Sequence, residues 1–313
     1  MMKTELKTLI NACSKENPLK VNEEGSYVEE FIKEVANVSK DNRILDKKIK
    51  EDLLGEPYSC FKYNQSVAEM MVWFFCEQTG LDYGVEKKLN PPKDVDFQII
   101  QNGVNYNIEV KSPEYEISDN RVLTGRIASR TDRVNLKDTL YDLNNLFRKN
   151  LENTEFKDVN MVLPKDNKIK DCLISCQGKF LGSDAKNFNV LLLSTTSDEM
   201  PHYLEYFMNT ESGFFTNYSY VQPKEFDKVG AVVITNAISI NQKYDDCSWD
   251  IQKAKTIVLD NPFCSHIDHG QIEKFRGLFP NCTVEFWLGL QEFRKKNPGF
   301  PDIIYYYDYI KGS

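Results

Sequence analysis

Asp94-Val95-Asp96-Phe97-Gln98-Ile99-Ile100-Gln101-Asn102-Gly103-Val104-Asn105-Tyr106-Asn107-Ile108-Glu109-Val110-Lys111 is the stretch on which the reading of this chain turns. Asn-Gly between two β-prone runs is a strong hairpin signal, because both central residues of a type I′ turn need positive φ. With Asn102-Gly103 as the loop, Gln101 pairs with Val104. Counting outward sets Asp96 opposite Glu109 and Asp94 opposite Lys111. Side chains alternate along a strand, and paired residues share a side of the sheet. One face therefore carries Asp94, Asp96, Gln98, Asn107, Glu109 and Lys111. The other carries Val95, Phe97, Ile99, Tyr106, Ile108 and Val110, a core face.

Like charges directly opposed across a hairpin are destabilising. A divalent cation would offset the repulsion, and hard cations such as Mg²⁺ or Mn²⁺ take carboxylate oxygens. Lys111, two residues past Glu109 on the same face, can neutralise a developing anion or help to deprotonate a water. Those groups suit metal-assisted phosphodiester hydrolysis. A further carboxylate, Glu69, is the only charge between Val67 and Cys76, and it shares a helical face with Val72, Trp73 and Cys76. A lone buried carboxylate is costly unless paired or metal-bound.

Asp96, Glu109-Val110-Lys111 and the preceding helix glutamate Glu69 resemble the PD-(D/E)XK nuclease superfamily over about residues 60–240. The resemblance implies a restriction-endonuclease-like α/β sandwich, with a central mixed β-sheet flanked by helices. It also implies an Mg²⁺- or Mn²⁺-dependent endonuclease acting on DNA, with Asp96, Glu109 and Glu69 as ligands and Lys111 beside them. The Val110 carbonyl is a further ligand on this likeness. Gln98 and Asn107, on the same face, are candidates to contact the scissile phosphate or a metal-bound water, and Gln177 is a weaker one. The chain departs from the pattern at the proline: Pro91-Pro92 precede Asp94 by two positions and Asp96 by four. Asp94 is thus a rival ligand, and the turn register favours Asp96. An RNA nuclease and a non-cleaving module that binds nucleic acid or protein remain alternatives. The resemblance admits a homodimer, though no dimer interface is legible.

Composition sets bounds. The 313 residues are 41% hydrophobic and 12% aromatic, enough for a sizeable core in one elaborated domain. A net charge of −8 argues against a protein that coats nucleic acid, since backbone binding relies on Lys and Arg. Positive charge can still be local, and Arg121, Arg126, Arg130 and Arg133 form a candidate phosphate-contacting segment. The longest fully apolar run, Met70–Cys76, is too short to span a bilayer. Eight cysteines and no signal-peptide pattern point to reduced thiols and a cytoplasmic protein. Three histidines, none marked as a base, leave carboxylate and lysine chemistry as the better fit.

Along the chain, residues 1–60 read as a helical N-terminal extension to a nuclease-like domain at 61–313. Val28, Phe31, Ile32 and Val35 give one amphipathic stripe, and Arg43–Leu54 a second, charged helix. A helix over about 64–79 ends at Gly80. Further helices are expected over Leu136–Leu151, Ile169–Phe180 and 199–209. Val190–Ser194 and Val229–Thr235 read as buried central strands, Thr256–Leu259 as a further strand and Ile303–Tyr307 as an edge strand. Cys172 and Cys176 fall on one apolar helical face and read as packing. The Cys264-Ser265-His266-Ile267-Asp268-His269 cluster reads as an exposed loop rather than a zinc site.

Overall fold

The computed structural model describes residues 3–40, 42–113, 122–126, 158–162, 166–208, 213–217, 219–266, 268–280 and 282, with 122–126 and 158–162 described by their backbone alone. Its strands are Asp82–Asn90 (β1), Lys93–Gln101 (β2), Val104–Lys111 (β3), Val122–Arg126 (β4), Asp158–Val162 (β5), Asn187–Ser194 (β6), Ala231–Thr235 (β7) and Thr256–Asp260 (β8). Six of them form one mixed sheet in the order β1-β2-β3-β6-β7-β8. The β1–β2–β3 meander is antiparallel, β3, β6 and β7 run parallel, and β8 returns antiparallel to β7. Strands β4 and β5 pair in parallel as a separate two-stranded sheet.

Sequence chemistry explains the centre of this sheet. Val190-Leu191-Leu192-Leu193 and Ala231-Val232-Val233-Ile234 are buried throughout, as strands covered on both faces must be. The Asn102-Gly103 loop has φ of 52° and 78°, the I′ geometry expected of it. Strand β1 is not anticipated from sequence. Its Glu86-Lys87-Lys88 run hides the alternation, and an edge strand tolerates such charges on its open side.

Helices Lys3–Ala12 (α1), Pro18–Val21 (α2), Ser26–Asn37 (α3), Asn42–Lys48 (α4) and Cys60–Thr79 (α5) precede the sheet. Asp166–Gln177 (α6), Met200–Met208 (α7), Ala237–Asn241 (α8) and His269–Arg276 (α9) follow within and after it. Helix α5 starts at Ser59, whose hydroxyl accepts from Lys62 N–H, and stops at Gly80 with φ 65°. The charged Arg43–Leu54 segment is not one helix. It is α4 followed by a single π turn over Ile49–Leu53.

Two cores sandwich the sheet. The first joins Phe97, Ile99, Tyr106, Ile108, Val110 and Leu192 to α5 and to the amino-terminal helices. The first 60 residues share that core: Tyr27, Phe31 and Leu53 are buried in it, and the Tyr27 hydroxyl contacts those of Tyr63 (2.7 Å) and Asn241 Oδ1 (3.0 Å). The second core joins Val95, Leu191, Leu193 and Val232 to Ile169, Leu173 and Cys176 of α6 and Tyr203 and Phe207 of α7. The hairpin face expected to be polar and open is thus covered as well. The fold is α/β, a six-stranded mixed sheet flanked by helices. The helix expected over Leu136–Leu151 and the strand expected over Ile303–Tyr307 lie outside the described residues.

Candidate active site

The hairpin is regular from Gln101↔Val104 down to Phe97↔Ile108, and there the pairing ends. Hydrogen-bonded pairs alternate in an antiparallel ladder, so the next such pair would be Val95 with Val110. Val110 N–H instead donates to Asp96 Oδ2 at 2.7 Å. The carboxylate has taken the place of a backbone carbonyl. Strand β2 kinks at this point: Phe97 packs in the first core, but Val95, two residues away, packs in the second. Across the other edge of β2, the position facing Asp96 is Glu86, between Val85↔Phe97 and Lys87↔Val95. Glu86 has φ 49°, uncommon for a side chain of that size.

Two expectations are corrected here. Asp96 and Glu109 are not partners in the ladder, because the ladder stops one residue short of them. Asp94 does not face Lys111 as an ion pair; it is part-exposed, and Lys111 Nζ turns to Glu109 Oε1 on its own strand at 2.5 Å. The charges of the other carboxylates still act on Asp96. Burial pushes the Asp96 carboxyl up to about 7, and the charges of Glu69 and Glu109 add to that rise.

Glu109 is fully buried. Its Oε1 receives both Lys111 and Lys179, the latter at 2.6 Å, while its Oε2 is buried without a hydrogen-bond partner. Burial alone would lower the Lys111 pKa, but Glu109 and Asp96 outweigh it, so the ammonium is held charged in this arrangement. Glu69, near the middle of α5, pairs with Lys48 through Oε2 and accepts from Gln65 Nε2 at 2.7 Å through Oε1. Lys48 is likewise held charged, Glu69 and then Asp96 and Glu86 outweighing the cost of its burial.

Gln65 does a second job. Its Nε2 donates to the Val110 carbonyl (2.9 Å) and its Oε1 accepts from Ser112 N–H (2.7 Å). One amide thereby satisfies two backbone groups at the end of β3, as a neighbouring strand would. The Val110 carbonyl, expected to face a metal, has Gln65 as its partner.

Gln98 and Asn107 are not available to a phosphate as expected. Gln98 Nε2 donates to Asn107 Oδ1 (2.9 Å), and Asn107 Nδ2 to Asn189 Oδ1 (2.8 Å). Asn189 in turn donates to the Leu181 and Lys228 carbonyls. This buried amide relay ties β2, β3 and β6 together. Gln177 is committed elsewhere too, bonded to the Lys224 carbonyl and to Lys228 N–H. Arg121, Arg130 and Arg133 lie outside the described residues, and Arg126 is described only as backbone at the end of β4.

Lys48, Lys179 and Gln65 were not singled out in the sequence. Gln65 carried a signal, being four residues before Glu69 on the same helical face. The two lysines carried none, since Lys48 ends α4 and Lys179 follows α6, both remote in sequence from what they touch.

Hard-cation chemistry fits a buried, unpartnered Glu109 oxygen beside Asp96. The spacing is looser than a closed cage. Among the described residues only Asp245, Asp246 and Cys247 bring three ligand-type atoms within 4.8 Å of one another. That cluster is a turn held by its own bonds, with Cys247 N–H donating to Asp245 Oδ1. The cysteines of α6 are packing residues as expected, the Cys176 thiol pushed far up by burial. Asp268 caps α9 through Gly270 N–H. No described helix is long and apolar enough to cross a membrane.

Comparison with protein-family models, with curated proteins and with solved structures finds no match. The functional reading therefore rests on the site itself.

Proposed function

We propose that the chain is a metal-dependent deoxyribonuclease, an endonuclease of restriction type on a restriction-endonuclease-like fold. One observation carries the reading: Asp96 takes the Val110 N–H in place of a strand carbonyl, at the strand end that carries Glu109, and Glu109 keeps one buried oxygen without a partner. Such strained, unsatisfied arrangements concentrate at functional sites.

Asp96, Glu109 and Glu69 are the groups that would hold Mg²⁺ or Mn²⁺. The ion, when bound, would polarise the phosphoryl oxygen and lower the pKa of the attacking water. The chain's own residues do the rest. Lys111, 28% exposed, can turn from Glu109 to the anionic charge that develops on phosphorus. Gln65 fixes the end of β3 and with it the aim of Glu109 and Lys111. Lys48 pairs with Glu69 and fixes its Oε2.

The test is incubation of supercoiled plasmid with purified protein and Mg²⁺ or Mn²⁺, beside Glu109→Gln and Lys111→Ala. Cleavage by wild type alone supports the reading; equal cleavage by Glu109→Gln ends it.

A second reading has its own support. Glu69 is balanced by Lys48, and Glu109 by Lys111 and Lys179. That balance suits a non-cleaving module that binds nucleic acid or a protein partner. Calorimetry separates the two: a folded wild type that takes up no Mn²⁺ favours the module. Parallel assays on single-stranded DNA, duplex DNA and RNA decide the substrate.

A further inference from the structure

Lys179 is one of two ammonium groups on a single carboxylate oxygen, and Glu109 needs only one to be neutral. The other is in excess unless an anion arrives to balance it. Lys179 stands just beyond the end of α6, with 20% of its side chain exposed. Next to it, Gly178 leaves room for a third lysine. A Cβ built at Gly178 would come within 2.6 Å of Lys93 Nζ. Lys93 opens β2, is exposed, and has no ion-pair partner among the described residues. The turn that carries it is pinned there by Asn90 Nδ2, which donates to the Gly178 carbonyl at 3.1 Å. Lys111, Lys179 and Lys93 thus run in sequence from the buried carboxylate out to the surface. They supply local positive charge in a chain whose net charge is −8.

We propose that Lys111, Lys179 and Lys93 form a track for the sugar–phosphate backbone of DNA, with Lys179 at the scissile phosphate and Lys93 at a neighbouring one. The proposal rests on the nuclease reading and names how that site would hold its substrate. Arrival of a cation at Glu109 would release Lys179 toward the phosphate. The competing account is structural: Lys93 would merely sit near the last carbonyls of α6, where a cation is favourable. That account predicts a change in melting temperature and none in the salt dependence of DNA binding.

The experiment measures anisotropy of a labelled phosphorothioate DNA duplex at fixed Mn²⁺ across a salt series, for wild type, Lys93→Gln and Lys179→Gln. Each lost phosphate contact should lower the slope of log K against log salt by about one. A fourfold rise in salt then costs each variant about 3-fold less affinity than it costs wild type. If Lys179→Gln does not fold, the exposed Lys93→Gln decides alone. A wild type that cuts plasmid while both variants keep its slope overturns the track and spares the nuclease reading. A folded wild type that neither cuts nor binds DNA, or that binds RNA only, overturns both.

Discussion

At its turn the β2–β3 hairpin keeps its backbone ladder, with Gln101↔Val104 through Phe97↔Ile108 in unbroken register. At its open end, side chains replace the backbone: Asp96 takes the Val110 N–H, and Gln65 takes the Val110 carbonyl and the Ser112 N–H. The turn end obeys the local rules of β-sheet chemistry. The open end breaks them where charged groups lie on both faces of the sheet: Glu69 on α5 on one side, Glu109 with Lys111 on the other, and Asp96 bonded to the backbone between.

The sharpest way to break the contrast is Glu109→Gln. The change keeps shape and hydrogen-bonding capacity but removes the charge that Lys111 and Lys179 share. We expect plasmid cleavage to fall by about 100-fold or more, the scale of losing one electrostatic element of a reaction site. Circular dichroism should report an intact fold. A tenfold loss or less would make Glu109 a structural charge and assign the open end no chemistry.

Gln65→Ala asks whether the open end depends on its borrowed strand. It strands a backbone carbonyl and a backbone N–H, each of which lies against buried neighbours. A cost of about 1–3 kcal/mol in urea denaturation is expected, with cleavage reduced alongside. Gly103→Ala asks the same of the turn end. With φ 78° at that position, an L side chain is strained, and about 1 kcal/mol of stability should be lost with cleavage per folded molecule unchanged. If Gly103→Ala instead impaired cleavage more than Gln65→Ala, the two ends would not be separable.

The same contrast explains what could be read from the sequence. The turn, the two central strands, α5 with its Gly80 stop, and α6 follow from local pattern, because each buries a periodic set of apolar residues or needs a particular φ. The closeness of Lys111 to Glu109 was also legible, since the two share a face of one strand. What was not legible is long-range. Lys48 and Lys179 reach the site from helix ends far away in sequence, and no periodicity points to them. The kink that moves Val95 to the second core is set by Asp96 competing for a backbone donor, which a register count cannot foresee. Gln98 and Asn107 looked like site residues because they share a face with Glu109; a buried Asn189 on β6 takes Asn107 instead, and Asn107 takes Gln98.

The last test probes the open end in the absence of divalent ions. Folding raises the Asp96 carboxyl from the usual 3.8 to about 7, through burial first and then Glu69 and Glu109. The folded protein therefore holds that proton more tightly than the unfolded chain does. The associated stability is present below about pH 4 and is lost as pH rises through about 7. Asp96→Asn removes the titration, and its side-chain oxygen can still accept from Val110 N–H. The variant's melting temperature relative to wild type should therefore be higher at about pH 8 than at about pH 5. Saturating Mn²⁺ should reverse the order at the higher pH, because wild type keeps a ligand that the amide supplies poorly. A melting difference that is flat with pH would mean that Asp96 is not crowded by its neighbours. The open end would then be a frayed hairpin, and the broken ladder would carry no chemistry.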